Sequence, residues 1–133
     1  MIVVAVIAIV AAVAIPSLQN ARISANEAQA IAHLRSFATA IEQYRTRFGA
    51  YVDDLNDLQL TGYLAGFAPH GGGGVRKGGY FHRRWYNATI EWGVSAEPLV
   101  PGSTGNRWFW IDSSGVIRFS PSGIATMGNP PID

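Results

Sequence analysis

The first fifteen positions of the chain are all apolar, and polar side chains enter only after Pro16. No residue from Met1 to Ile15 is polar, and the first charged side chain is Arg22. Downstream, apolar residues recur every three or four positions, at Ile31, Leu34, Ala38, Ile41, Tyr44 and Phe48. This spacing is typical of an amphipathic helix. We therefore predict one helix from Ile2 to Phe48. Its first part is apolar on all sides, and its part after Pro16 is amphipathic, with apolar residues on one side only.

The ends and the middle of this helix carry their own signals. Pro16 removes one backbone donor and crowds the carbonyl of Ala12, so we expect a kink there and not a stop. Gly49 is placed to end the helix, because glycine readily adopts the left-handed conformation. A continuous helix of this kind would be about 70 Å long, which is far beyond an ordinary globular helix. It must be packed by partners along its length.

The apolar run needs lipid or protein around it. Its strictly apolar part spans only about 22 Å as a helix, but counting to Ala21 gives about 32 Å, enough for a hydrocarbon core of roughly 30 Å. The alternative is a secretory signal peptide, because Ala12-Val13-Ala14 fits a small-x-small cleavage pattern. No basic segment precedes the run, and the helical pattern continues past that point. Both features favour a retained anchor.

The rest of the chain predicts a small head. Residues 49–78 form a connector with a turn at Asp53-Asp54, one or two helical turns from Leu55 to Leu64, and a flexible glycine run from Gly71 to Gly74. Four strands follow, at Tyr80–Tyr86, Thr89–Ala96, Arg107–Asp112 and Val116–Ser120, with a turn at Asn87-Ala88. On the third of these strands, Trp108 and Trp110 should share one face, and Phe109 and Ile111 the other. The tail from Pro121 should be irregular.

Composition narrows the possible functions. Ten basic and nine acidic residues nearly cancel, so no overall field recruits nucleic acid or acidic lipid. Without cysteine there is no disulfide and no thiol nucleophile. No GxSxG motif is present, and the glycine run lacks the strand, helix and lysine of a phosphate-binding loop. We therefore expect a protein that is not an enzyme.

Metal-ligating residues are few and poorly spaced. His33, His70 and His82 show no paired spacing, so we expect exposed or locally bonded histidines. Asp53, Asp54 and Asp57 could offer oxygen ligands to calcium, but the glycine and closing glutamate of an EF-hand loop are missing, so loop solvation is the favoured role. We predict no metal and no cofactor.

One stretch mixes basic and aromatic side chains in the way of single-stranded nucleic-acid sites. Its candidate surface-binding residues are Arg76, Lys77, Arg83, Arg84 and Trp85. The alternative is that the aromatic residues belong to the sheet core and the arginines to its wet face, and we favour that interpretation. Asn87-Ala88-Thr89 also fits the glycosylation sequon, a pattern too short to carry weight alone.

The residues from Ile2 to Tyr51 resemble the N-terminal helix of type IV pilins and type II secretion pseudopilins. Short segments of the head are similar to the sheet signatures of that family: Lys77-Gly78-Gly79-Tyr80, Ala96 and Pro98, Pro101-Gly102 with Thr104-Gly105, 107–109, and Asp112 with 115–118. The resemblance is weakest at 52–76. It implies a pilin fold, a pool of subunits in the inner membrane, and assembly by a separate ATPase-driven machine into an extracellular pilus or a periplasmic pseudopilus.

Several family features have no counterpart in this sequence. Members begin with a basic leader, a glycine before the cleavage point, and a mature start of the form Phe-Thr-Leu-Ile-Glu. Here Met1 falls inside the apolar run, so we expect that start to lie upstream. Ala8 stands where many members have glycine, and the common C-terminal disulfide is impossible without cysteine. The calcium loop of major pseudopilins is not seen either, which favours a pilin over a secretion pseudopilin.

The predicted fold is α+β, with a long N-terminal helix packed on a roughly four-stranded antiparallel sheet. Residues 1–21 are the membrane and filament-core segment, and 22–133 the head, divided into helix 22–48, connector 49–78, sheet 79–120 and tail 121–133. The expected role is a structural filament subunit, whose partners are identical or related pilin subunits, the inner membrane and the assembly machinery, not nucleic acid. The alternative is a minor pilin or pseudopilin of a secretion or DNA-uptake system with a binding head. The predicted packing residues are Ile2, Val3, Val4, Ala5, Val6, Ile7, Ala8, Ile9, Val10, Ala11, Ala12, Val13, Ala14, Ile15 and Pro16.

Overall fold

The structure is a computed structural model, and it describes residues 1–86 and 91–132. Its longest element is helix α1 (Ile2–Phe48), 47 residues that continue through Pro16. The helix ends where Gly49 adopts a φ of 77° and its N–H donates to the carbonyl of Arg45 at 2.7 Å. A side chain at Gly49 would strain this left-handed turn. The predicted long N-terminal helix is thus confirmed, while the kink at Pro16 stays a prediction.

A short helix and an antiparallel sheet make up the rest of the head. Helix α2 (Leu55–Leu60) begins where the side chain of Asp54 accepts a hydrogen bond from the backbone N–H of Asn56 at 2.8 Å, as helix N-caps do. Within the described ranges the sheet has six strands, and each pairs with the next along the chain. The strands are β1 (Ala68–His70), β2 (Gly74–Lys77), β3 (Tyr80–Trp85), β4 (Gly93–Pro98), β5 (Trp108–Asp112) and β6 (Arg118–Ser120). The protein is therefore α+β, as predicted.

The predicted count of four strands is wrong, because the connector 49–78 contributes a hairpin. β1 pairs with β2, and Gly72 and Gly73, both with positive φ, lie in the turn between them. β1 is only three residues long and contains Pro69, which cannot donate to a neighbouring strand. Such a strand lacks the apolar alternation by which strands are recognised, so its pairing with β2 is what defines it.

The boundaries of the predicted strands also shift. β6 begins at Arg118 and not at Val116. The predicted strand Thr89–Ala96 corresponds to β4, which begins at Gly93 and ends at Pro98. The predicted turn at Asn87-Ala88, the sequon and the first two residues of that predicted strand lie outside the described residues. The tail is less irregular than predicted, because the N–H of Phe119 donates to Pro130 and that of Ile132 donates to Ile117. The tail therefore covers part of the β6 edge.

The sheet covers α1 along one line of side chains. The buried residues of the helix lie three or four positions apart: Ile23, Glu27, Ala30, Leu34, Phe37, Ala40 and Ile41. They form one core with side chains of the sheet, among them Phe109 and Ile111 on β5. Trp108 and Trp110 lie on the opposite face of β5 and pack on Ala125 of the tail. The predicted division of β5 into two faces is confirmed.

The predicted apolar line of the helix is correct only in part. Leu34 and Ile41 are fully buried, but Phe48 is 51% exposed and lies past the sheet. The predicted residues Ile31, Ala38 and Tyr44 lie at the margin of the core and are partly buried. Phe37, absent from the predicted line, is fully buried. The buried face is rotated from the predicted one because the sheet, and not helical spacing, selects which side of α1 is covered.

Candidate functional site

The N-terminal part of α1 projects beyond the head with its apolar side chains uncovered. Every residue before Ile23 is exposed, with Ile2 at 82% and Val13 at 72%. An 18-residue window of this segment has a mean hydropathy of 2.5 and no buried residue. Ile2 to Ala21 spans about 30 Å as a helix. This segment is long and apolar enough to cross a membrane.

The exposure of this segment has an energetic consequence. Transfer of one Val, Leu or Ile side chain from water to an apolar environment is favourable by about 1.5–3 kcal/mol. The segment carries such side chains around most of the helix, since the exposed Ile2, Val3 and Val4 point in three different directions. A single neighbouring helix would cover only one of these sides. The segment therefore calls for an environment that surrounds it.

An ion pair between a buried carboxylate and a half-exposed arginine fixes the sheet to α1 just after the exposed segment ends. Glu27 is 7% exposed; its Oε2 accepts a hydrogen bond from Nε of Arg107 at 2.9 Å and lies 2.8 Å from Nη2 of the same guanidinium. Its Oε1 accepts a hydrogen bond from the backbone N–H of Asn106 at 2.9 Å. Charge-assisted bonds of this kind are stronger and more directional than neutral ones. The Glu27–Arg107 pair thus sets where along the helix the head is attached.

Neighbouring side chains extend this junction. Asn26 donates from Nδ2 to the carbonyl of Thr104 at 2.9 Å, and the hydroxyl of Tyr80 donates to the carbonyl of Arg107 at 2.8 Å. Burial, and secondarily the charge of Glu27, raises the pKa of Tyr80, so this hydroxyl stays protonated. The backbone of the 104–107 loop is therefore held from both the helix and β3.

The Glu27–Arg107 pair was not predicted from the sequence, because Glu27 is a charged residue outside the predicted apolar line of the helix. A signal was available, because Ile23, Glu27, Ala30 and Leu34 follow one another at helical spacing. A carboxylate in such a line must be paired if the line is buried. The partner could not be named from the sequence, since Arg107 lies 80 positions further along the chain.

The basic and aromatic residues of β2 and β3 are divided between two faces of the sheet. Lys77 pairs with the buried Tyr80, and Arg84 follows the buried His82 by two positions, so both lie on the helix side. Nζ of Lys77 lies 4.8 Å above the ring of Phe67. The side chain of Arg84 is only 6% exposed and reaches Oδ1 of Asp53 at 3.9 Å.

The other members of this stretch face outward. The guanidinium of Arg83 lies between the rings of Phe81 and Trp85, at 5.0 and 5.5 Å. The indole N–H of Trp85 donates to Ser95 at 3.0 Å, and the Ser95 hydroxyl donates to Glu97 at 3.1 Å. Arg76 pairs with Phe81 and is exposed on the same face. Lys77 and Arg84 thus lie apart from Arg76, Arg83 and Trp85, and surface binding by these five residues stays a prediction.

The outer face also carries a cleft between the sheet and the tail. It has a volume of about 220 Å³ and is lined by Trp85, Tyr86, Trp110, Ile124, Ala125, Thr126 and Met127. Asp112 orients its floor, because Oδ2 accepts the indole N–H of Trp110 at 3.1 Å. Burial alone would raise the pKa of Asp112, but hydrogen bonds from Ser114 and Trp110, with the charge of Arg118, lower it below its usual value.

The histidines and aspartates take up local structural roles. His70 is exposed on β1, but His82 is fully buried, so the prediction of exposed or locally bonded histidines is wrong for it. Asp54 caps α2, and Asp53 faces Arg84. Among the residues that the structure describes, no three His, Asp or Glu side chains are grouped so that they could hold a metal ion.

Comparison with protein-family models, with curated proteins and with solved structures finds no match to this chain. The resemblance to pilins therefore rests on the residues of the sequence alone.

Proposed function

We propose that this chain is a membrane-anchored structural subunit, of the type IV pilin and pseudopilin class, that polymerises through its apolar N-terminal helix. The observation that carries the proposal is the exposure of every residue of α1 before Ile23 in a helix that then continues into a folded head. A signal peptide is cleaved from the folded protein, so it does not need to continue as a helix into the head. A permanent anchor that also positions the head benefits from one continuous helix, because a rigid helix fixes the head relative to the anchor.

The two environments in this proposal are alike in polarity. Before assembly the segment lies in the inner membrane, and in the filament it packs among copies of itself. Transfer of the segment from lipid to the filament core changes its solvation free energy little. Helix–helix packing, and not exclusion of water, therefore drives assembly. The small residues Ala5, Ala8, Ala11 and Ala12 permit close approach of neighbouring helices. The role is structural, with no catalytic step.

Membrane anchorage is tested with a charge placed in the segment. Val10→Arg puts a cation near the centre of the span, which opposes insertion by about 2.5–3.5 kcal/mol. The matched control is Leu60→Arg, since Leu60 is an apolar side chain of the head that is 84% exposed. We expect carbonate-washed membranes to retain the unchanged chain and the control, and to lose much of the Val10→Arg variant. A freely soluble unchanged chain would refute the proposal.

Polymerisation needs a separate test, and the absence of cysteine makes it direct. A single cysteine at Ala11 should give disulfide-linked dimers on mild oxidation of cells that make the protein, because copies of the segment lie side by side. A cysteine at the exposed Ser113 of the head serves as the control for random collision. Dimers formed equally by both variants, or by neither, would show that the segment does not pack against itself.

A further inference from the structure

Three side chains that can carry positive charge surround the ring of Phe67. The ring of His33 lies 5.0 Å from it and that of His82 6.0 Å, while Nζ of Lys77 lies 4.8 Å above its centre. The two histidine rings are themselves 5.4 Å apart. His82 is fully buried, and neither of its ring nitrogens makes a hydrogen bond of normal geometry within the described residues, although the Val75 backbone lies across from it on β2. This site therefore disfavours a protonated His82 imidazole.

The remaining groups around His82 offer no compensation for a positive charge. Phe37 faces it from α1, and Val75 and Ala96 lie opposite it on β2 and β4. On its own strand, Tyr80 donates to the carbonyl of Arg107, and Arg84 faces Asp53. Burial and the neighbouring His33 lower the pKa of His82 to about 3, against the opposing effect of the Val75 backbone. Burial and Lys77 lower the pKa of His33 as well.

The part of the head that this cluster holds is the edge of the sheet. β1 is exposed at all three of its residues and has β2 as its partner. The segment before β1 contacts the helix through Phe67, whose ring lies 5.0 Å from that of Phe37. Edge hairpins with few buried side chains open more readily than central strands. Loss of the contacts around Phe67 would therefore free the hairpin before it unfolds the head.

We propose that His33 and His82 form an acid-sensitive latch, which holds Phe67 and the β1–β2 hairpin against α1 at neutral pH and releases them when the imidazoles are protonated. The sign follows from the protonation states. The closed form binds protons more weakly than the open form, so it is fully favoured above pH 6.5, the ordinary value for histidine, and weakens as pH falls toward 3. For each such group the opening equilibrium rises up to tenfold per pH unit.

Hydrogen exchange of the full chain in uncharged detergent micelles tests the latch. After correction for the intrinsic effect of pH, peptides covering 68–77 should lose protection about tenfold or more between pH 7 and pH 5. Peptides covering 108–112 in β5 should change much less. In a His82→Phe variant, which keeps a ring but removes one of the two titrating groups, the loss of protection of 68–77 over this pH range should be several-fold smaller than in the unchanged chain. Equal pH dependence in the variant and the unchanged chain would overturn the proposal.

A second variant keeps the test decisive if His82→Phe fails to fold. Lys77→Met removes the cation from the exposed end of the cluster and leaves both histidines, so protonation of His33 becomes easier in the closed form. The loss of protection between pH 7 and pH 5 should then be smaller than in the unchanged chain, because the pKa of His33 differs less between the closed and the open form. An equal or larger loss would contradict the latch.

Discussion

The Glu27–Arg107 pair offers the sharpest test of how the head is attached to the helix. Glu27→Gln keeps the size of the side chain but replaces a carboxylate oxygen by an amide NH₂. The amide oxygen can keep either the bond from Asn106 or the contacts with Arg107, and in each orientation the amide NH₂ faces N–H donors. The substitution therefore removes the charge and sets donor against donor.

The expected loss of unfolding free energy is about 2–3 kcal/mol. Hydrogen bonds to charged groups contribute about 1.5–3 kcal/mol, and removal of one partner of a buried pair costs about 3–5 kcal/mol. The lower range applies because the side chain of Arg107 is 42% exposed, so water can solvate it once Glu27 is gone. The matched control is Glu42→Gln on the same helix, whose side chain is 47% exposed and whose amide oxygen can still accept the N–H of Trp92. It should lose less than about 1 kcal/mol.

Urea unfolding of the full chain in uncharged detergent, followed by tryptophan fluorescence, measures these differences. A double-mutant cycle with Arg107→Gln then isolates the interaction between the two side chains. We expect a coupling energy of about 1–2 kcal/mol, so that the double variant is less damaged than the sum of the single ones. Strict additivity, or an equal loss for Glu27→Gln and Glu42→Gln, would refute the assignment of this pair as the junction.

Three further predictions concern the core and the sheet, and each is checked by unfolding the variant beside the unchanged chain. Gly105→Ala should destabilise the head by about 1–3 kcal/mol, because the added Cβ would lie 2.0 Å from the hydroxyl oxygen of Tyr80, whereas Gly128→Ala has room and should be nearly neutral. Phe37→Ala should cost about 3–5 kcal/mol, since it empties a fully buried site between helix and sheet; a loss below about 1 kcal/mol would show that the helix does not pack as described. Asp112→Asn should destabilise at pH 7, and the difference should shrink as pH falls below about 4, because the lowered pKa of Asp112 stabilises the folded state only while the carboxyl is ionised. A difference that is constant down to pH 2 would contradict the role of that charge.

The features that local chemistry dictates could be predicted from the sequence. An unbroken apolar run followed by three- and four-residue spacing predicts a long helix whatever it packs against, and Gly49 ends it through its own backbone freedom. The two faces of β5 were equally predictable, because side chains alternate along any strand. Because no charged side chain precedes Arg22, the N-terminal part of α1 requires an apolar environment.

Tertiary pairing decided the rest. β1 and β2 carry no recognisable strand pattern, since Pro69 and the glycines are poor strand residues, and they are strands because β3 offers them an edge. From the sequence Glu27 and His82 look like ordinary polar residues, and they are buried only because helix and sheet pack together. Arg107, the partner of Glu27, and His33, the neighbour of His82, lie on distant segments of the chain. The sequence alone determined which parts of the chain avoid water. The fold decided which polar groups are buried with them, because burial depends on contacts between segments far apart along the chain.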